Sequence, residues 1–503
     1  MTEGKVFSIC NLVRSVAFIS ATFLAVQVPT QGQNFNPGMY QTQSKTAGIQ
    51  EAIDAASKVG GGTVQIPAGT FVLHAAAGHP AILLRSRVSL VGAGSQSTIL
   101  KLEVNPKIAP AVMVNQNYAD PDAAEADHDI RLQGFTVDAS SSEQVLRETQ
   151  LQGAIATTGE QDVILRSMEG IVQDSLLRVD PGPDEEIVPA LKASAGSFRA
   201  FFLRPHPAGA KVLVLVPRLH GLALVGASNV SLQDVTFRDV PMDGIYLTST
   251  VDVPHRTYSK QISIHRCHFV ACHRNGISVI DADDVSIANN DFSDITGDPG
   301  APVDVEPNRP DQHGNRINIA ENEVHRCYRG ITVSLQFSGP TSQNFHGITV
   351  SGNTVEGTLY GWGIYVLWQQ AGATVTGNTV IRPAGDGILV VGSANVQVTN
   401  NKISDPGRCH TRGNCRAQAF AAGIRLMDDP HNPRILNHNV VSGNTIEDVQ
   451  ETPSMLYGVD FSSKGGGNTI QRNVVSRFDP KRGAVVHVGG SVGGNKISDN
   501  SRR

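Results

Sequence analysis

Aromatic residues make up only 5% of these 503 residues, and just two of them are tryptophan. Charged residues reach only 17%, while glycine contributes 50 positions. A helical bundle needs long charged side chains and tolerates little glycine, so that composition disfavours it. There is no surplus of positive charge: 41 Lys and Arg face 46 Asp and Glu, a net charge of −5. The overall basic field that marks a nucleic-acid partner is therefore missing. The glycines keep no period of three, which excludes a collagen-like helix. Long apolar runs are also missing. The longest, from Val16 to Val28, falls short of the ~20 residues that a spanning helix needs. Lys5 and Arg14 precede it and Thr30-Gln31-Gly32 follows it, so it reads as a secretory leader cut near Gly32. The expectation is a secreted, periplasmic or cell-surface protein with no stable membrane anchor.

Of six cysteines, Cys10 leaves with the leader. Cys409 and Cys415 lie in the polar loop "CHTRGNC", where a disulfide and two free thiols are both open readings. Cys267, Cys272 and Cys327 sit in apolar strands and read as core fillers. The spacing in "HRCHFVACHR" matches no standard zinc pattern.

What the chain does have is a repeat. "GLALVGASNVSLQDVTF" (221–237), "GISVIDADDVSIANNDF" (276–292) and "GILVVGSANVQVTNNKI" (387–403) align without a gap. A shorter half of the pattern recurs in "INIAENEV", "ITVSGNTV", "ATVTGNTV", "VVSGNTI" and "TIQRNVV". Period-two alternation means strands, each too short to stand alone, so the units must stack and share a core. A recurring Asn falls at Asn290, Asn322, Asn353, Asn378, Asn401, Asn444, Asn473 and Asn495. It is expected to occupy a left-handed turn and to bond its counterpart one coil away, a structural role.

These repeats resemble those of the right-handed parallel β-helix, the pectin-lyase-like superfamily. The stretch "AGIQEAIDAASKVGGGTVQIPAGTFVL" (47–73) strengthens the likeness: Ile49, Ala52, Ile53 and Ala56 make one apolar stripe on a short helix. The resemblance implies an all-β solenoid capped by that helix. The expected organisation is a leader at 1–32, cap and first coils at 33–139, an insertion or appended β element at 140–220, and parallel β-helix repeats at 221–503.

A glycine-led strand recurs as "DGIYL", "NGISV", "RGITV", "WGIYV" and "DGILV". In "APVDVEPN" (301–308) its outward positions turn acidic. Val303 and Val305 should face the core, with Asp304 and Glu306 facing solvent together. Two strand positions place their Cβ atoms ~6.6 Å apart. Side-chain rotation then allows either the retaining or the inverting spacing of a glycosidase pair. Two close carboxylates repel, so one pKa should rise, which suits a general acid. Asp243 opens a "DGI" strand two coils earlier and is expected on the same face, assisting. Long excursions at Leu247–Ile262, Glu306–Ile317 and Leu335–Ile348 should wall a groove. They carry His255, Arg256, Tyr258, Lys260, Arg309, His313, Arg316, Phe337, Phe345 and His346, a local concentration of cations and rings suited to an acidic glycan. Arg274, Arg329 and His313 are candidates for holding substrate, and Trp362, Tyr365 and Trp368 for a sugar platform.

"DVEPN" resembles a segment of bacterial and phage β-helix proteins presumed to act on polysaccharides, with Pro302 standing where those have Gly. The Asn-Thr-Asp, Gly-Asp-Asp and Arg-Ile-Lys hallmarks of polygalacturonases are missing, as is the Asp-His pattern of pectate lyases. "DDPHNP" (428–433) is faintly similar to an Asp-Pro-His element of mannuronan C5-epimerases. Its next residue is Asn432 rather than an acid, and it is assigned no role.

The leading expectation is a glycoside hydrolase acting on a polysaccharide, with Asp304, Glu306 and Asp243 as its catalytic group and no cofactor. A uronate lyase or C5-epimerase, with calcium held by the carboxylates, is the second. A glycan-binding surface scaffold is the third. A polysaccharide is the expected partner in all three, and the sequence leaves the oligomeric state open.

Overall fold

The computed structural model describes residues 32–502, apart from 77, 104–109, 122–124, 174, 216–218, 298, 337–343, 408–420, 433, 452, 479–482 and 490–493. Residues 1–31 of the leader expected at 1–32, together with Cys409, Cys415 and Phe337, lie outside the described residues.

Each turn of the chain lays down one short strand in each of three sheets. Among the described residues sheet A has 15 strands, sheet B 13 and sheet C 12, and all pair in parallel. The pleat sorts the side chains. In the sheet C strand Val303–Val305 both valines point into the coil and are fully buried, and Asp304 between them points outward. Phe237, Phe269 and Phe292 occupy one register position of sheet B in successive coils, with ring centroids 5.4 and 4.7 Å apart and nearly parallel planes. That stack explains the glycine opening the sheet C strands. A Cβ on Gly276 would sit 2.5 Å from the Pro302 carbonyl and 2.6 Å from the Phe292 ring. Cys267, Cys272 and Cys327 are buried free thiols within this core.

The recurring asparagines form ladders, with one correction to their backbone. The left-handed residue is the one before each: Asn289, Glu321, Gly352, Gly377, Asn400, Gly443 and Arg472 carry φ between 53° and 70°. The asparagine that follows turns its amide inside and bonds the next coil. Asn290, Asn322, Asn353, Asn378, Asn401, Asn444 and Asn473 each donate to the following member at 2.8–3.0 Å, and the ladder ends on Asn500. Asn495 belongs instead to a second ladder with Asn439 and Asn468. Asn378 is fully buried; it donates to Asn401 and to the Val350 carbonyl and accepts from Asn353. Asn378→Ala strands these partners without water. It is expected to cost at least ~2 kcal/mol, read as a fall in melting temperature. A variant melting with the parent would contradict the ladder's role.

The helix Ile49–Lys58 closes the stack at its N-terminal end, burying Ile49, Ala52, Ile53 and Ala56. Between Asp138 and His220 the chain leaves the stack. Its strands Val145–Gln150, Leu176–Val179, Glu186–Pro189 and Lys211–Leu215 make one antiparallel sheet, and Gly159–Val163, Lys192–Ala193 and Phe198–Phe202 another. They enclose a core of their own, including Val163, Leu177, Phe198, Phe202 and Val212. Phe201 reaches back to the coils, packing edge-on against Tyr328 at 5.8 Å and Tyr360 at 5.1 Å. No helix among the described residues is long and apolar enough to cross a membrane.

Candidate active site

Strand register puts one outward side chain per coil into a column on sheet C. Val114, Ala223, Tyr246, Ser278, Asp304, Thr332 and Tyr365 follow one another along it. Asp304 thus sits mid-column. Glu306 lies two residues on, where sheet C gives way to loop 306–313. Pro302 drops one rung of the turn, where Gly276 and Gly330 donate to Ala301 and Trp362 at 3.0 Å.

The expectation of two solvent-facing carboxylates needs correction. Asp304 points out of the coil but is 1% exposed, because its neighbours close over it. The Asn275 side-chain amide donates to its Oδ2 at 3.4 Å, and Oδ1 has no hydrogen-bond partner among the described residues. Glu306 keeps more contact with solvent, its side chain 15% exposed, and accepts from Gln336 Nε2 at 2.9 Å. Burial first, and then Glu306, push the Asp304 carboxyl well above the usual carboxylate range, against the pull of Arg274 and Arg329.

Asp243 is also corrected. It lies in the turn before sheet C rather than on the open face, and it is fully buried. It accepts from Arg274 Nη1 at 3.0 and 3.2 Å and from the Asn275 backbone N–H at 3.2 Å, with His220 Nδ1 at 3.4 Å. Burial alone would raise its pKa; Arg274 and His220 outweigh that and hold it below the ordinary value. The other end of Arg274 reaches Glu306, Nη2 to Oε2 being 3.9 Å. Asp243 therefore aims a guanidinium at the carboxylate pair.

The remaining expected residues separate into two lips. Arg329 lies over the rings of Tyr328 and Trp362, at 5.7 and 5.5 Å, and Trp362 packs on Tyr365 at 4.1 Å. This group forms the lip that Phe201 also touches. Trp368 is not part of it. Its indole donates to Asp429 at 2.5 Å and Arg434 covers its ring at 3.9 Å, on the opposite side of sheet C. His313 lies on that opposite lip too, stacked on Tyr258 at 5.1 Å beside Asp281 and Asp283. Nor are the loop cations a free positive surface. Arg256 pairs with Asp281 and Asp311, Arg309 with Asp252 and Asp311, and Arg316 with Asp284, so they tie the loops together.

The sequence reading missed His220, Tyr246 and Asn275. Tyr246 was within reach, since it occupies the column of Asp304 in the aligned "DGIYL" strand. His220 was not, because it follows the insertion and carries no motif.

Calcium does not fit these carboxylates. The Arg274 guanidinium occupies the position between Asp243 and Glu306 that a cation would need. Among the described residues no group of three or more His, Cys, Asp or Glu gathers for a metal ion.

The fold is a right-handed parallel β-helix. The family profile described as "Right handed beta helix region" matches residues 255–437 and 341–502. In particular, the chain is 27% identical over 264 residues to the uncharacterized protein YclG of Bacillus subtilis, covering 50% of this chain. It is 38% identical over 90 residues, 18% of this chain, to mannuronan C5-epimerase AlgE4 of Azotobacter vinelandii. These stretches span 41% and 16% of the two relatives' own lengths. Among solved structures, the A-module of the Azotobacter vinelandii mannuronan C-5 epimerase AlgE6 superposes with a TM-score of 0.55 at 15% identity. That match covers 93% of this chain and 99% of the module; it establishes the fold alone.

Proposed function

We propose that the protein cleaves glycosidic bonds of an acidic polysaccharide laid over sheet C, with Asp304 and Glu306 as its carboxyl pair. The observation that supports this reading is a buried Asp304 two residues before Glu306, its carboxyl pushed well above the usual carboxylate range by burial and by Glu306, with Arg274 reaching Glu306. Asp304 gives its proton to the glycosidic oxygen as that bond breaks. Glu306 either takes a proton from the attacking water or attacks the anomeric carbon itself, and a separation of two residues is compatible with both geometries. Arg274 and Arg329 offer planar, permanently charged donors to a sugar carboxylate. Gln336, bonded to Glu306, has to swing aside for substrate to enter.

A second reading, elimination or epimerisation at a uronate, is favoured by the likeness to a mannuronan C5-epimerase. The two are separated by incubating the protein with a panel of oligouronates and neutral oligosaccharides. Hydrolysis adds one water per cut, and elimination leaves an ultraviolet-absorbing unsaturated end. We expect water-adding cleavage of a uronate that Glu306→Gln abolishes. Unsaturated products would replace the hydrolytic reading with the second, and tight binding with no product would leave a scaffold.

A further inference from the structure

The Asp304 column does not run open in both directions. Toward the N-terminal end, Val114 and Ala223 hold the outward positions of sheet C, yet both are fully buried. They form a small apolar cluster outside the coil, with Tyr118 of the short helix Gln116–Ala119 packed against it together with Leu83 and Tyr246. Tyr246, the next residue of the column, is held from two further sides. Its ring stacks on His220 at 4.8 Å, and the Asn308 side-chain amide, arriving from loop 306–313, donates to its hydroxyl at 3.4 Å. His220 comes from the lip that carries the insertion and Asn308 from the opposite one, so the two lips meet over Tyr246. Two register steps separate this closure from Asp304, about 10 Å at the spacing of neighbouring strands. On the other side of Asp304 the column continues through Thr332 to the half-buried Tyr365, flanked by Arg329 and Trp362.

A long polymer cannot pass through such a closure. We infer that the protein works from a chain end: one terminus of an acidic polysaccharide abuts Tyr246, His220 and Tyr118, and each cut releases a mono- or disaccharide. This deepens the reading of Asp304 and Glu306 as the cleaving pair, on which it rests.

Binding and products test it separately. Full-length Glu306→Gln protein is titrated with ladders of oligogalacturonates and oligomannuronates, either free or with bulky groups on both ends. We expect the blocked ladders to bind at least about tenfold more weakly, ~1.4 kcal/mol. Equal affinity for free and blocked ladders overturns the chain-end inference, and no binding to any ladder overturns it together with the cleavage reading. With wild-type protein on the matching polymer, short products should accumulate from the first minutes while viscosity barely falls. Early long fragments with collapsing viscosity overturn the inference and leave the cleavage reading standing. End-dependent binding without turnover does the reverse. Tyr118→Ala should open the closure and lengthen the released products.

Discussion

Asp304→Asn is expected to lower turnover by about 10²–10⁴-fold, the usual contribution of a positioned acid, and at the same time to make the folded protein more stable at neutral pH. The two effects share one cause. Burial and Glu306 raise the folded-state pKa of Asp304 well above its unfolded value, ~3.9. Below that unfolded value both states hold the proton, and the group is neutral to stability. As pH rises through the window up to the raised folded pKa, the unfolded chain loses its proton first and stability falls. By neutral pH the acid is a burden, and an amide of the same shape removes it. The melting temperature of the variant should therefore exceed the parent's at pH 7, with the gap closing toward pH 4. Wild-type activity should decline as pH rises through the same raised pKa. An asparagine variant that keeps full turnover, or a stability gap that stays constant on acidification, would refute this role for Asp304.

The second large effect is structural. Asp243→Ala leaves Arg274, three-quarters shielded from solvent, without the carboxylate that neutralises it. Breaking such a pair costs on the order of 3–5 kcal/mol. The double variant Asp243→Ala/Arg274→Met removes both charges and should recover most of that loss without recovering activity. The lowered pKa of Asp243 gives the same pair a pH signature. Its stabilisation is present above the ordinary carboxylate pKa and is lost as pH falls through the depressed folded value. Thermal melts of parent, single and double variants from pH 3 to pH 7 read all of this. If the double variant is no more stable than the single one, Asp243 does not serve mainly to hold Arg274.

The architecture was legible in the sequence because a solenoid writes the same rule many times. Alternation in "GISVIDADDVSIANNDF", a glycine at each sheet C entry and an inward Asn at each corner are consequences of a repeating coil, and local pattern suffices to read them. The site was only half legible. Val303 and Val305 fix the direction in which Asp304 points, but burial depends on what other coils bring over it. Asn275 of the neighbouring coil donates to Asp304 and helps to close over it, a contact between coils that no local pattern records. Asp243 was misplaced for a related reason, since a residue two positions outside the regular strand no longer follows the pleat. Trp362 and Trp368, six residues apart, end on opposite lips because a whole strand crosses sheet C between them. The loop cations looked available in the sequence because the aspartates that bind them come from neighbouring loops and coils.

The departure between Asp138 and His220 begins and ends in a single corner of the stack, and the segment carries its own apolar centre. Closing a longer loop costs little, about 0.6 kcal/mol for each doubling of length, so the stack is nearly indifferent to what is inserted there. Yet Phe201 rests beside the residues that frame Arg329 and Trp362. On the proposed function, specificity and foldability are thereby uncoupled. A graft of different size at that corner would leave the scaffold's thermodynamics almost untouched while changing what lies beside Arg329 and Trp362, and with it, on that proposal, which branched or decorated polymers can approach.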